Sequence, residues 1–107
     1  MNNVLIGKGN LDRKGVYANK DFKKSDIVIK YNLKLLTKDQ YKKLPKSERK
    51  FTHVHNGKIY LYSIPERYVN HSDNPNTISD LEKQCDIALR DINKGEQITT
   101  DSTKDDI

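Results

Sequence analysis

Short runs of β-branched and aromatic residues, separated by turn-forming residues, dominate the chain. Apolar residues occupy nearly every second position of several runs, which is typical of strands half-buried in a sheet. The clearest local signal is Asn56-Gly57, which supplies both positive-φ positions of a type I′ turn between two β-prone arms. The predicted strand-forming segments are 3–7, 15–19, 26–33, 51–63, 85–92 and 96–100.

Helical signals are few. Thr37 and Gln40 form a capping-box pattern, and apolar residues follow on one side of a short helix that Pro45 is expected to end. A second short helical turn is predicted around 65–69. The pattern therefore predicts a mainly β protein with one or two short helices.

One internal similarity joins the two halves of the chain. Segments 18–29 and 88–99 share the order Ala, basic residue, Asp, apolar residue, Lys, acidic residue. Each segment is predicted to form a strand, a tight turn and a second strand, which we call the first and second β-arch. Gly95 suits a left-handed turn position in the second β-arch, and Ser25 occupies the matching position in the first. We expect the two arches to lie close together in one compact β fold.

Composition limits the class of protein. The chain has 107 residues, 34% of them hydrophobic, which corresponds to one globular domain. No apolar run approaches the roughly 20 residues of a membrane span, and the N-terminal apolar stretch is too short for a signal peptide. A single cysteine, Cys85, excludes an internal disulfide and a cysteine-based zinc site. We expect an intracellular, soluble protein, cytoplasmic if the source is bacterial, without a membrane partner.

The formal charge of +5 is carried mostly by scattered lysines. This distribution argues against nucleic acid as a specific ligand, although a basic β-domain that binds nucleic acid stays open as an alternative. His53 and His55 share one face of a predicted strand, but no third metal ligand is evident, so both are expected to be solvent-exposed strand residues. No metal site is therefore predicted.

Three segments together resemble the SET domain, the fold of one class of protein-lysine methyltransferases. "KGVYANKDFKKSDIV" (14–28) is similar to the first family motif, and "RYVNHSDNPN" (67–76) is similar to the third, R-[FY]-x-N-H-S-x-x-P-N. "ALRDINKGEQITTDS" (88–102) is similar to the fourth. The resemblance implies a SET-domain β-clip fold of several short sheets with a C-terminal pseudoknot, and a single SET-like domain over 1–107.

The resemblance also implies an activity: S-adenosylmethionine-dependent methyl transfer to a lysine side chain of a protein or peptide. Asn70 is expected to meet the amino acid part of the cofactor, and backbone groups near His71 its adenine. Gly15 would let the backbone approach the cofactor closely, while Tyr17 either flanks the cofactor or is a buried strand residue. The implied cofactor-binding residues are Lys14, Gly15, Val16, Tyr17, Arg67, Tyr68, Asn70 and His71.

The sequence departs from the family pattern at two positions. Ser102 stands where the last motif ends in a tyrosine that lines the lysine channel, and Arg13 replaces the first glycine of the G-x-G motif. No catalytic residue is therefore assigned from the sequence. The candidate hydroxyls on other segments are those of Tyr31, Tyr60, Tyr62 and Tyr68. The alternative to an active enzyme is a catalytically impaired SET-fold module that binds cofactor or peptide.

Overall fold

A computed structural model describes residues 3–101 of the chain. These residues form short strands joined by tight turns, with two short α-helices and one 3-10 helix. The strands are β1 (Val4–Leu11), β2 (Lys14–Ala18), β3 (Ile27–Lys30), β4 (Lys34–Leu36), β5 (Thr52–His55), β6 (Lys58–Leu61), β7 (Asn70–His71), β8 (Thr77–Asp80), β9 (Cys85–Ala88) and β10 (Gln97–Thr100). The helices are α1 (Lys38–Lys43), α2 (Lys46–Arg49) and the 3-10 helix Glu66–Tyr68. The predicted mainly β class is confirmed.

The strands assemble into small sheets rather than one large sheet. Their orders are β1-β2-β10-β7, β3-β9-β8 and β4-β6-β5. Neighbouring strands run antiparallel except β7 and β10, which are parallel. Parallel neighbours cannot be joined by a tight hairpin, so the pairing of β7 with β10 brings together segments far apart in sequence.

The two β-arches pack against each other as predicted. Phe22 and Ile92 exchange backbone hydrogen bonds of 2.8 and 2.9 Å, and both side chains are buried. Ser25 and Gly95 take the expected left-handed conformation, with φ of 77° and 95°. The Ser25 amide donates to the Ala88 carbonyl, and the Gly95 amide donates to the Ala18 carbonyl, both at 2.8 Å. The hydrogen bonds between the two arches are therefore reciprocal.

Side chains of one arch also hold the turn of the other. The Lys24 amide donates to Asp91 Oδ1 at 2.9 Å, and the Lys94 amide donates to Asp21 Oδ1 at 2.7 Å. The core lies around this junction and extends under β1, β2 and β10. Its buried members include Val4, Val16, Phe22, Val28, Ile29, Phe51, Ile92 and Ile98.

The turn predicted at Asn56-Gly57 and the helix start predicted at Thr37 are both confirmed. Asn56 and Gly57 have φ of 52° and 74°, as a type I′ turn requires, and they connect β5 to β6. At α1, Thr37 Oγ1 accepts from the Gln40 amide at 3.1 Å, while Gln40 Oε1 accepts from the Thr37 amide at 2.9 Å. The 3-10 helix confirms the turn predicted before Asn70.

Other features complete the comparison with the sequence. Cys85 is buried, and burial raises the pKa of its thiol. His53 is buried too, so an exposed position for this strand histidine was the wrong expectation. Among residues 3–101, no group of three potential ligands could hold a metal ion. No helix within the same span is long and apolar enough to cross a membrane.

Candidate functional site

The segment 70–76 lies against β10, with Asn70 and Asn76 buried at its ends and His71, Asp73 and Asn74 exposed between them. Asn70 pairs with Thr99 in parallel register. At the far end of the segment, the Asn76 side chain donates to the Gln97 carbonyl at 2.8 Å and accepts from the Thr99 amide at 2.9 Å. Asn76 is 2% exposed. Its side-chain carboxamide bonds the backbone of β10 where a neighbouring strand would otherwise do so. The short polar side chains therefore satisfy backbone groups where two segments meet.

Asn70 connects the N-terminal hairpin to this junction. Its Oδ1 accepts from the Asn10 amide at 2.6 Å, and its Nδ2 donates to the carbonyls of Lys14 and Tyr68 at 3.0 and 2.8 Å. The residue is 3% exposed. Its carboxamide therefore holds together three backbone segments. A contact of Asn70 with a cofactor stays a prediction.

The other N-terminal candidates lie on β2, between β1 and β10. Val16 is completely buried in the core. A Cβ on Gly15 would lie 2.8 Å from Gln97 Nε2 and 3.0 Å from the Lys8 carbonyl oxygen, so only glycine fits without a shift. The Tyr17 hydroxyl donates to the same Lys8 carbonyl at 2.6 Å. Close packing within the sheet thus explains Gly15 independently of any ligand.

Charged and aromatic groups gather around the place where residues 70–76 meet strand β10, which we call the crossing. Lys14 Nζ lies 5.0 Å from the centroid of the Tyr68 ring. The His71 ring is partly exposed, with Nε2 at 2.9 Å from Asp73 Oδ1 and Nδ1 at 3.7 Å from Asp101 Oδ1. One cation and two carboxylates therefore lie near the predicted cofactor residues.

Arg67 points into the protein. Its Nε and Nη2 donate to the Tyr62 carbonyl at 3.0 and 2.8 Å, and its Nη1 contacts Glu48 Oε2 at 2.9 Å. The guanidinium also lies 4.7 Å from the centroid of the Phe51 ring. These contacts give Arg67 a structural role, and its predicted contact with a cofactor stays a prediction.

A cavity of about 160 Å³ opens beside the crossing. We call it the tyrosine cavity, and its lining residues are Leu11, Tyr31, Lys50, Phe51, Tyr62, Glu66, Arg67, Val69, Ser79, Asp86 and Thr100. Val69 precedes Asn70, and Thr100 ends β10. The tyrosine cavity and the crossing are thus built from adjacent residues.

The candidate hydroxyls fall into two groups. Tyr31 and Tyr62 line the tyrosine cavity, with ring centroids 5.8 Å apart and an edge-on arrangement. Tyr60 instead stacks on His53, with centroids 5.6 Å apart, and does not belong to the lining. Tyr68 is buried in the core. Ser102 lies outside the described residues.

The Tyr31 hydroxyl belongs to a buried polar cluster. It donates to Asp86 Oδ1 and lies 2.9 Å from Ser79 Oγ, which itself donates to Asp86 Oδ1 at 3.1 Å. Asp86 is 1% exposed. Burial, and then the negative charge of Asp86, raises the pKa of Tyr31 far above its ordinary value. Tyr31 therefore stays protonated at neutral pH.

A second carboxylate lines the same cavity. Glu66 is 6% exposed, and its Oε2 accepts from the amides of Asn32 and Ser63 at 2.8 and 3.1 Å. Its Oε1 is buried and has no hydrogen-bond partner within residues 3–101. Sequence reasoning missed both Glu66 and Asp86. The available signal was Asp86, an acidic residue inside the otherwise apolar strand β9.

Comparison with known proteins agrees with this geometry. The sequence model of the SET domain matches residues 13–101. Histone-lysine N-methyltransferase 2D of Homo sapiens is 29% identical over 119 residues, covering 94% of this chain. Histone-lysine N-methyltransferase trr of Drosophila melanogaster is 26% identical over the same share of the chain. The chain spans only 2% and 5% of the lengths of these relatives.

A solved structure supports the fold. The crystal structure of a candidate histone methyltransferase of Plasmodium falciparum superposes with a TM-score of 0.71, covering 94% of this chain and 93% of the other. The two sequences are 20% identical, so this likeness concerns the fold alone. Since the family match covers most of the chain and includes both arches and the crossing, the chain belongs to the SET domain family.

Proposed function

We propose that this SET domain transfers a methyl group from S-adenosylmethionine to a lysine side chain of a protein or peptide. The observation that carries the proposal is the position of the tyrosine cavity directly beside the crossing that Asn70 holds. The relatives named as histone-lysine N-methyltransferases support lysine as the target. A single domain over 1–107 and a C-terminal pseudoknot form part of the same proposal.

The charges of the residues around the crossing complement the charges of the cofactor. Its amino acid end carries a carboxylate and an ammonium, which Lys14 on one side and the Asp73 and Asp101 carboxylates on the other can bind. When bound, S-adenosylmethionine supplies an electrophilic methyl group on a positively charged sulfur. We assign its binding to Lys14–Tyr17, Arg67, Tyr68, Asn70 and His71.

The protein's part in the reaction is to orient the amine and remove its proton. A free lysine has a pKa of roughly 10.4, so the amine needs an environment in which it can become neutral. Burial in the tyrosine cavity lowers that pKa by removing water from the charged form. Alignment of the two reacting groups can then contribute several kcal/mol to the rate. The Tyr31 and Tyr62 hydroxyls are our candidates for contacting the reacting amine.

Calorimetry and amide spectra with S-adenosylmethionine test cofactor binding. We expect heat of binding and chemical-shift changes at residues 14–17, 70 and 71. Amides of α1 (Lys38–Lys43), which contacts strand β4 of a different sheet, serve as an internal control and should stay unchanged. Absence of binding would refute both the enzyme and the cofactor-binding module, and would leave the basic β-domain as the alternative.

Transfer of tritiated methyl groups to basic peptides then tests turnover. The second candidate, a binding module without turnover, is favoured by Ser102 at the position of the family tyrosine. Comparison of the wild type with Ser102→Tyr separates the two. Label transfer by the wild type supports the enzyme. If cofactor binds and only S102Y transfers label, the binding module is the correct function.

A further inference from the structure

Tyr31 and Tyr62 reach the tyrosine cavity from two different sheets. Tyr31 directly follows strand β3 of the sheet β3-β9-β8, and Tyr62 directly follows strand β6 of the sheet β4-β6-β5. The registered pairing of β4 with β6 ends at Lys34 and Leu61, just before Tyr62. The two ring centroids nevertheless lie 5.8 Å apart in an edge-on arrangement. The sheets by themselves therefore do not fix how the two rings meet.

Glu66 joins the two segments that carry these rings. Its Oε2 accepts from the Asn32 amide at 2.8 Å and from the Ser63 amide at 3.1 Å. Asn32 directly follows Tyr31, and Ser63 directly follows the second tyrosine. The Ser63 contact is local, as at the start of many helices, whereas the Asn32 contact spans 34 residues. The Ser63 hydroxyl also donates to the Asn32 carbonyl at 2.6 Å, but in an exposed position.

We propose that Glu66 is a positioning residue, which sets the spacing and angle of the Tyr31 and Tyr62 rings. Glu66 is 6% exposed, so water has little access to replace its oxygen as the partner of the two amides, and an amide left without a partner is costly. The effect of Glu66 on turnover rests on the proposed methyl transfer. Its effect on the two rings does not depend on that proposal.

The neighbouring contacts each hold only one of the two tyrosines. Arg67 donates to the Tyr62 carbonyl at 3.0 and 2.8 Å and does so without binding the other segment. Asp86 accepts from the Tyr31 hydroxyl and holds the far end of that side chain. Loss of the Glu66 contacts would therefore change how the rings lie relative to each other, while each tyrosine keeps its own separate contact.

Magnetic resonance spectra of tyrosine-labelled protein test this role without any need for turnover. Glu66→Asp keeps the charge but shortens the side chain by one methylene, whereas Glu66→Gln keeps the length and one acceptor oxygen. Cross-relaxation between two rings falls steeply with distance, so a shift of about 0.5 Å, the tolerance of a well-positioned site, reduces it about twofold. We expect this loss between Tyr31 and Tyr62 in E66D and near wild-type cross-relaxation in E66Q. Glu96→Asp makes the same change at a carboxylate that accepts from the Asn93 amide in the second β-arch, and should leave both rings unchanged.

The rate of methyl transfer to basic peptides gives the second measurement. A misplacement of about 1 Å can cost about 100-fold in rate, so E66D should lower kcat at least about tenfold. E66Q should restore most of this loss, and the affinity for S-adenosylmethionine should stay the same in both variants. A carboxylate that acts through its charge would give the opposite order, with E66Q the less active variant.

Two results would overturn the proposal: ring cross-relaxation in E66D equal to that of the wild type, or a larger loss in E66Q than in E66D. If neither variant folds, hydrogen exchange of the wild type decides, since rapid exchange of the Asn32 and Ser63 amides would refute the contact and slow exchange supports it. The ring measurement also keeps the two proposals apart. Altered rings in E66D without methyl transfer by the wild type would refute only the methyl transfer, and methyl transfer with unaltered rings would refute only the positioning role.

Discussion

Replacing Asn70 by aspartate tests whether its carboxamide holds the crossing together. Aspartate has the same shape and can still accept from the Asn10 amide, but it cannot donate to the carbonyls of Lys14 and Tyr68. Both carbonyls would instead face a carboxylate at a site where the native residue is 3% exposed. Each of the two buried carbonyls left without its hydrogen bond costs about 1–3 kcal/mol, so we expect a loss of about 2–6 kcal/mol.

Urea denaturation followed by far-ultraviolet circular dichroism measures this change, since the chain has no tryptophan. A small domain has only about 5–15 kcal/mol of stability, so the shift of the midpoint should be large. Asn74→Asp is the matched control in the same segment, where the side chain is exposed, and should change stability by about 0.5 kcal/mol or less. If Asn70→Asp also loses less than about 1 kcal/mol, the carboxamide does not hold the three segments as described.

The β-arches give two further predictions. Ser25→Gly should stabilise the fold by about 0.5 kcal/mol because a φ of 77° strains an L-residue. Gly95→Ser should destabilise the fold by about 1 kcal/mol, because the new side chain has open space and only the backbone is strained. Urea midpoints that move in the same direction would contradict this reasoning. The hydrogen bond from the Asn93 amide and, to a smaller extent, the interaction with Arg90 lower the pKa of Glu96 below its ordinary 4.5. The contribution of the Glu96 carboxylate to stability is therefore present above pH 4.5 and is lost as the pH falls through the lower, folded-state pKa. In unfolding measured against pH, Glu96→Gln should lose less stability in acid than the wild type does.

Features determined by neighbouring residues could be predicted from the sequence. Asn56-Gly57, the Thr37 capping box and the left-handed positions of Ser25 and Gly95 depend on backbone preferences within a few residues, and all are as predicted. The sequence similarity between the two arches also predicted that they lie close together, because two similar turns can make the same contacts with each other.

Two features that depend on distant contacts were missed. Strand β7 has only two residues and exists because β10 lies beside it, so it has no periodicity of its own. Glu66 was read only as part of a turn, since nothing near it in sequence shows that Asn32 and Ser63 would surround it. The cofactor residues inferred from family resemblance stay predictions for the same reason: their backbone positions are fixed by packing, while a ligand contact requires a ligand.

The reciprocal bonds between the β-arches have a consequence for how the chain folds during synthesis. The Lys24 amide needs Asp91, and the Ser25 amide needs the Ala88 carbonyl, so the first arch emerges from the ribosome long before its partners exist. Contacts of such high sequence separation slow folding, because a long loop must close before they form. The tyrosine cavity, whose lining runs from Leu11 to Thr100, therefore cannot be complete until the second arch has been made.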